Sequence, residues 1–102
     1  MKQKGKRSLH EIEKILRENK PFLMEKFKIK NLGIFGSYLR MEQTKRSDID
    51  ILVEFNEVVD LLEYVELEEF LKKLMGIKVD LVSKKALRPE LKDRILREVA
   101  YI

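Results

Sequence analysis

Two aspartates stand one residue apart in the run Asp48-Ile49-Asp50-Ile51-Leu52-Val53-Glu54-Phe55, and a third, Asp80, interrupts the apolar run Lys78-Val79-Asp80-Leu81-Val82. Successive side chains of a strand leave opposite faces, so Asp48 and Asp50 share one face while Ile49 and Ile51 take the other, towards a core. Like charges so placed raise each other's pKa, and Asp is disfavoured in strands, so the pattern adds little to folding. A divalent cation removes the repulsion, and magnesium is usually held by one or two carboxylates plus phosphate oxygens. Asp80 points away from the face of its neighbours Val79 and Leu81. If its strand pairs with that of Asp48 and Asp50, the three acids converge on one metal site. The competing reading of the first pair alone is a strand start whose acids face water.

Ahead of the acids, Gly36-Ser37 closes an apolar segment. Glycine lets a phosphate approach the backbone, and the free N–H groups of a following helical turn attract an anion. Ser37 adds a hydroxyl. Arg40 lies three residues on, on the same helical side, and its guanidinium can reach a phosphate. Gly-Ser alone would be an ordinary helix cap. With the acids, the set points to metal-assisted chemistry on a polyphosphate.

The composition leaves few other options. The chain has 102 residues, no cysteine and one histidine, His10. A thiolate nucleophile, a disulfide, a His-rich metal site and a catalytic histidine pair are therefore excluded. His10 reads as a first-turn helix residue without a catalytic role. The length corresponds to one domain at ~100–200 residues each, so 1–102 is read as a single domain. Hydrophobic and charged shares of 44% and 39% are those of a soluble globular chain. No apolar run approaches the ~20 residues of a membrane-spanning helix. None follows the basic start MKQKGKRS, so no secretory leader is expected either. Lack of cysteine fits a reducing cytoplasm, the expected location. Net charge is +4, unevenly spread: the first fifty residues hold 13 basic and 7 acidic side chains, net +6, and the remainder 9 and 11, net −2. A basic half fits an anionic partner, nucleic acid or a phosphate ligand, while abundant Lys and Glu also mark heat-adapted surface networks.

The elements that must position these residues follow from periodicity. Residues 1–7 are polar and basic and read as a loose end. Ser8 and Glu11 have capping-box spacing, and Leu9, Ile12, Ile15 and Leu16 predict a helix over 9–18, broken near Asn19-Lys20 by Pro21. Phe22, Leu23 and Phe27 suit a second short helix. Ile29 to Phe35 predicts a strand, Ser37 to Gln43 a short helix, and Asp48 to Phe55 the clearest strand. Leu61, Leu62, Val65, Phe70, Leu71 and Leu74 predict a helix from Asp60 to Met75, stopped by Gly76. Ile77 to Val82 is a third strand. Pro89 opens a last helix with Leu91, Ile95, Leu96 and Val99 inward. The alternation implies an α/β (α+β) domain, one sheet packed against helices, with the short first connection permitting a mixed sheet. Lys45 and Arg46 read as a solvated loop, the Glu63, Glu66, Glu68 and Glu69 cluster as an outer helix face, and Phe22, Phe27 and Phe70 as core.

Together, the segment Gly36-Ser37-Tyr38-Leu39-Arg40, then Ser47-Asp48-Ile49-Asp50, with ten residues between Gly36-Ser37 and the Asp-x-Asp and with Asp80 as third acid, resembles the nucleotidyltransferase superfamily of DNA polymerase β. More narrowly it is similar to the minimal nucleotidyltransferases (MNT) that form the antitoxin half of type VII HEPN/MNT toxin–antitoxin pairs. The likeness spans nearly the whole chain. It departs at Met41, where many members carry glycine after the arginine. The resemblance implies a polymerase β-like core, a small mixed three-stranded sheet against about four helices. It also implies ATP as substrate with two Mg2+ ions, Asp48 and Asp50 binding both ions and Asp80 the second while helping to activate the attacking hydroxyl. Gly36 and Ser37 would hold the outer phosphates, assisted by Arg40. The implied partner is a HEPN-domain RNase toxin that brings its own tyrosine as acceptor of AMP, since so short a chain has room only for a catalytic core. Tyr38, Tyr64 and Tyr101 have no such role. Neutralisation by contact alone, and nucleotidyl transfer to a small molecule or RNA, are the alternatives, with nucleic acid not expected as a direct substrate.

Overall fold

A computed structural model of the chain describes residues 7–44 and 48–102. Helix α1, Leu9–Lys26, opens on the expected capping box, in which the Ser8 hydroxyl accepts from the Glu11 N–H and Glu11 accepts from the Ser8 N–H. It runs on through Pro21, so the expected break and second helix are replaced by one continuous helix. Proline inside a helix costs about 3 kcal/mol. Here Pro21 faces solvent, and the apolar face continues past it, with Ile12, Leu16, Leu23 and Phe27 all buried. That burial, about 1.5–3 kcal/mol for each large side chain, outweighs one lost backbone bond. Residues 1–6 of the expected loose end and the Lys45-Arg46 loop lie outside the described residues. Arg7 is tied down, its Nε donating to the Met75 carbonyl at 2.7 Å.

Strand β1, Ile29–Phe35, matches its expected bounds, and strand β2 is Ile49–Phe55, one residue shorter than expected. Helix α2, Leu61–Met75, is capped by Asp60 and stopped by Gly76 in the left-handed conformation. Strand β3 is Val79–Ser83, followed by a single 3-10 turn, Lys84–Ala86. Helix α3 is Pro89–Glu98, with proline in its first turn. A two-residue strand β4, Ala100–Tyr101, adds a fourth strand to the three expected. The order is β3-β2-β1-β4, with β2 parallel to β3 and β1 antiparallel to β2 and β4. The sheet is thus mixed, as expected.

Strand alternation sorts the residues between two faces. Ile34, Ile49, Ile51, Val53, Val79 and Leu81 pack with Ile12 and Leu16 of α1 and Leu67, Leu71 and Met75 of α2 in the main core. The opposite face holds a smaller cluster of Phe35, Leu52 and Ile95, with Val82, Leu87, Leu96 and Val99 against it. The buried stripe of α2 is narrower than expected: Leu61 is 76% exposed, Leu62 68% and Val65 42%. Leu91, expected inward, is also exposed. The acidic cluster of α2 is a surface face, as read. Glu63 pairs with Lys28 and Glu69 with Lys72. Phe27 and Phe22 stack on Phe70 at 5.6 and 5.5 Å. Among the described residues no helix is long and apolar enough to cross a membrane.

Candidate active site

The parallel register of β2 and β3 sets Asp50 directly opposite Asp80. Both lie on the α3 side of the sheet, since their neighbours Ile49, Ile51, Val79 and Leu81 fill the main core. Asp48 sits one residue before β2, half-buried. The antiparallel pairing of β1 with β2 places Phe35 opposite Asp50, so the next residue, Gly36, lands on that carboxylate. A Cβ at Gly36 would lie 2.0 Å from Asp50 Oδ2, and the backbone there has φ +83°. Glycine is needed on two independent grounds, conformation and space.

The acids strain one another. The Asp50 carboxyl is pushed up to about 6, first by burial, then by the charge and hydrogen bond of Asp80 and by the charge of Asp48, with Arg40 opposing. Burial and the Asp48 charge also push the Tyr38 hydroxyl up. Nothing in the packing requires this crowding of like charge, which makes the cluster the candidate functional site.

Residues Ser37 to Gln43 are not the expected short helix. The Arg40 N–H donates to the Gly36 carbonyl at 3.1 Å, but the Glu42 N–H reaches back to Ser37 at 2.8 Å, a five-residue closure that ends the turn. Met41, the departure from the family pattern, adopts φ +60°. That is the left-handed region where a side chain costs about 1–2 kcal/mol. Met41→Gly relieves this cost but loosens the unfolded chain by about 0.5–1 kcal/mol. We expect a net stabilisation of about 0.5 kcal/mol, a rise of roughly 3 °C in Tm by calorimetry. An unchanged or lower Tm would show that the turn carries no such strain.

A cleft of about 410 Å3 is lined by Gly36, Arg40, Asp50, Asp80, Arg94 and Glu98, among others. Of the six expected site residues it brings together Gly36, Arg40, Asp50 and Asp80. Ser37 and Asp48 are not among its lining residues, although the Asp48 charge acts on Asp50. The wall opposite the sheet is α3, whose Arg88, Leu91, Arg94 and Glu98 recur at three- and four-residue spacing. Sequence reasoning missed these residues. Only Leu91 was singled out, as an inward residue of the helix; the spacing of Arg88, Arg94 and Glu98 was the available signal. Glu98 Oε2 accepts from the Gly36 N–H at 3.2 Å and from Arg40 Nη1 at 2.5 Å. A larger cavity, about 650 Å3, borders the far end of β2, with Phe55, Tyr64 and Lys84 in its lining and none of the three aspartates. We place the chemistry in the smaller cleft, because the strained carboxylates are there.

A glycine turn pressed against one strand acid that faces another is the arrangement expected of a core that handles a polyphosphate. Comparison with known proteins is more specific. The nucleotidyltransferase domain model matches residues 9–102. A Methanocaldococcus jannaschii protein, provisionally named a protein adenylyltransferase, is 52% identical over 97 residues, covering 94% of this chain and 99% of the relative. The protein adenylyltransferase MntA of Thermococcus cleftensis is 47% identical over 95 residues, covering 93% and 96%. A solved structure provisionally described as a minimal nucleotidyltransferase superposes with a TM-score of 0.81 at 33% identity, covering 95% of this chain and 98% of that one. A Shewanella oneidensis structure of a tri-AMPylated HEPN toxin with an MNT antitoxin aligns at a TM-score of 0.58 and 27% identity, covering 91% and 66%. The chain belongs to the nucleotidyltransferase domain family, as a minimal member of the DNA polymerase β superfamily close to the MntA-type enzymes.

Proposed function

We propose that the chain is an antitoxin that transfers AMP from ATP to a tyrosine of a HEPN-domain toxin. The observation that carries this reading is the packing of Gly36 against Asp50, with Asp80 in register opposite. Relatives named as adenylyltransferases support the donor, and the AMPylated toxin in a related complex supports the class of acceptor. Two of the chain's own three tyrosines are poorly placed for the role. Tyr38 is 1% exposed, and the Tyr64 hydroxyl donates to the Leu81 carbonyl. The exposed Val58, Leu61, Leu62 and Val65 offer apolar surface to a protein partner.

The donor set fits magnesium by its chemistry: hard carboxylate oxygens, side by side, with an Asp50 carboxyl raised by burial and then by the neighbouring acids Asp80 and Asp48. Among the described residues no three His, Cys, Asp or Glu side chains lie close enough together to hold a metal ion, so the expected convergence of all three acids is not formed; Asp50 and Asp80 alone face each other in register. Asp48, Asp50 and Asp80 would hold the ions. Two such ions, when bound, offset charge on the attacking and leaving oxygens. The chain's own groups do the rest. Gly36 and Ser37 offer backbone N–H groups and a hydroxyl to the outer phosphates, and Arg40 adds a guanidinium. Asp80 takes the proton from the tyrosine hydroxyl as its oxygen bonds to the α-phosphorus. The bond from that phosphorus to the bridging oxygen breaks, and pyrophosphate leaves with the electron pair.

A second reading, neutralisation by contact, draws on the same exposed patch of α2. Cells producing the HEPN partner distinguish the two. We expect Asp48→Asn with Asp50→Asn to lose rescue while still co-purifying with the partner. Full rescue by that double variant would make contact sufficient and the catalytic reading wrong.

A further inference from the structure

The groups that should receive the nucleotide's phosphates are already engaged by a carboxylate. One oxygen of Glu98 accepts from the Gly36 N–H and from Arg40 Nη1, at 3.2 and 2.5 Å. The same guanidinium is held on its other side by Glu42, which accepts from Arg40 Nε at 3.1 Å. An oxygen anion that bridges a turn N–H and an arginine is the arrangement a phosphate oxygen would adopt there.

Glu98 is also misplaced for its helix. It is the last residue of α3, where the partial negative charge of the helix end disfavours an acid. The helix therefore does not explain the residue. The cleft does, since Arg88, Arg94 and Arg40 line it and Glu98 supplies the opposing charge on that wall. The backbone behind it is fixed. Val99 and Ala100 press on Gly33, where a Cβ would lie 2.6 Å from Val99 Cγ2, and Ala100 pairs with Ile34 in the sheet. Release of the donors is then a rotation of the Glu98 side chain and needs no movement of α3.

We infer that Glu98 is the resident anion of the phosphate-binding turn, and that a nucleoside triphosphate binds by displacing its carboxylate from the Gly36 N–H and Arg40. This rests on the reading of that turn as the triphosphate site. Glu98 thereby weakens binding of every ligand whose outer phosphates need those donors, and leaves a monophosphate that does not reach them unaffected.

The test is calorimetric titration of the full chain with ATP and with AMP, in magnesium, for wild type and Glu98→Gln. The amide keeps the shape of the side chain but presents no charge. We expect ATP to bind roughly tenfold tighter to Glu98→Gln, because a charge-assisted competitor has become a neutral one, and AMP to bind equally to the two. ATP affinity unchanged or weakened in a folded Glu98→Gln, with wild type binding ATP, overturns the inference alone and makes Glu98 a positioning residue for the turn. Failure of folded wild type to bind ATP at all overturns the inference together with the reading beneath it. If Glu98→Gln does not fold, Glu98→Asp retracts the carboxylate by one methylene and should shift ATP binding in the same direction by a smaller factor. No shift there overturns the inference equally.

Discussion

Asp50→Asn is expected to abolish adenylate transfer and at the same time to stabilise the fold. The amide keeps the shape of the carboxylate but cannot serve as an ionised ligand. Losing about 4 kcal/mol of transition-state stabilisation lowers the rate roughly a thousandfold. The stability gain follows from the Asp50 carboxyl, which sits at about 6 against an ordinary value of 3.8. Because the folded value is the higher one, the native state holds the proton more tightly than the unfolded chain. The contribution of Asp50 to stability is therefore greatest below about pH 4 and falls as pH rises towards about 6. Above that, the ionised, half-buried group is a net cost, which solvent screening reduces. Thermal melts should show Asp50→Asn about 5 °C more stable than wild type at pH 7, or about 1 kcal/mol for a domain of this size. The wild-type melting temperature should rise between pH 7 and pH 5. Magnesium should flatten that rise by supplying the missing counter-charge. A variant that is less stable than wild type at pH 7 would show that Asp50 is held by structure and not strained for function.

Gly36→Ala should damage stability and activity together, in contrast to Asp50→Asn. A methyl group there meets Asp50 Oδ2 at 2.0 Å, and φ +83° is costly for any L side chain. The left-handed backbone and the displaced carboxylate should together cost about 3 kcal/mol, a fall of roughly 15 °C in Tm. ATP binding should be lost with it, since the N–H that faces the phosphates moves with the turn. Melting at the wild-type temperature would mean that the turn is loose enough to admit a side chain, and that its contact with Asp50 does not organise the site.

The residues of the proposed site were the most legible part of this sequence. An acid in a strand such as Asp50 or Asp80 violates local preference, so each stood out, and period-two alternation placed both on the face away from Ile49, Ile51, Val79 and Leu81. The parallel pairing that sets Asp50 against Asp80 was legible only as a condition, because strand order depends on contacts between distant segments. Pro21 misled because a local rule was applied where burial of Leu23 and Phe27 decides. The apolar stripe of α2 was drawn too wide because hydrophobic spacing says which side chains share a face, not which of them find a partner, and Leu61 and Leu62 are left exposed. Strand β4 is two residues long and has no periodicity to read. Glu98 was invisible for another reason. Its partners, the Gly36 N–H and Arg40, are 62 and 58 residues away in the chain, and only the fold brings the C-terminal helix to the phosphate-binding turn.

The central claim is that this acid cluster and glycine turn modify a protein partner. It is tested most directly by the intact mass of the HEPN-domain protein made together with the wild-type chain or with its Asp48→Asn, Asp50→Asn variant. The account predicts a partner heavier by one or more adenylate groups, located on tyrosine by fragmentation, with the wild-type chain and none with the variant. A partner of unmodified mass beside an active, ATP-binding wild-type chain would contradict it.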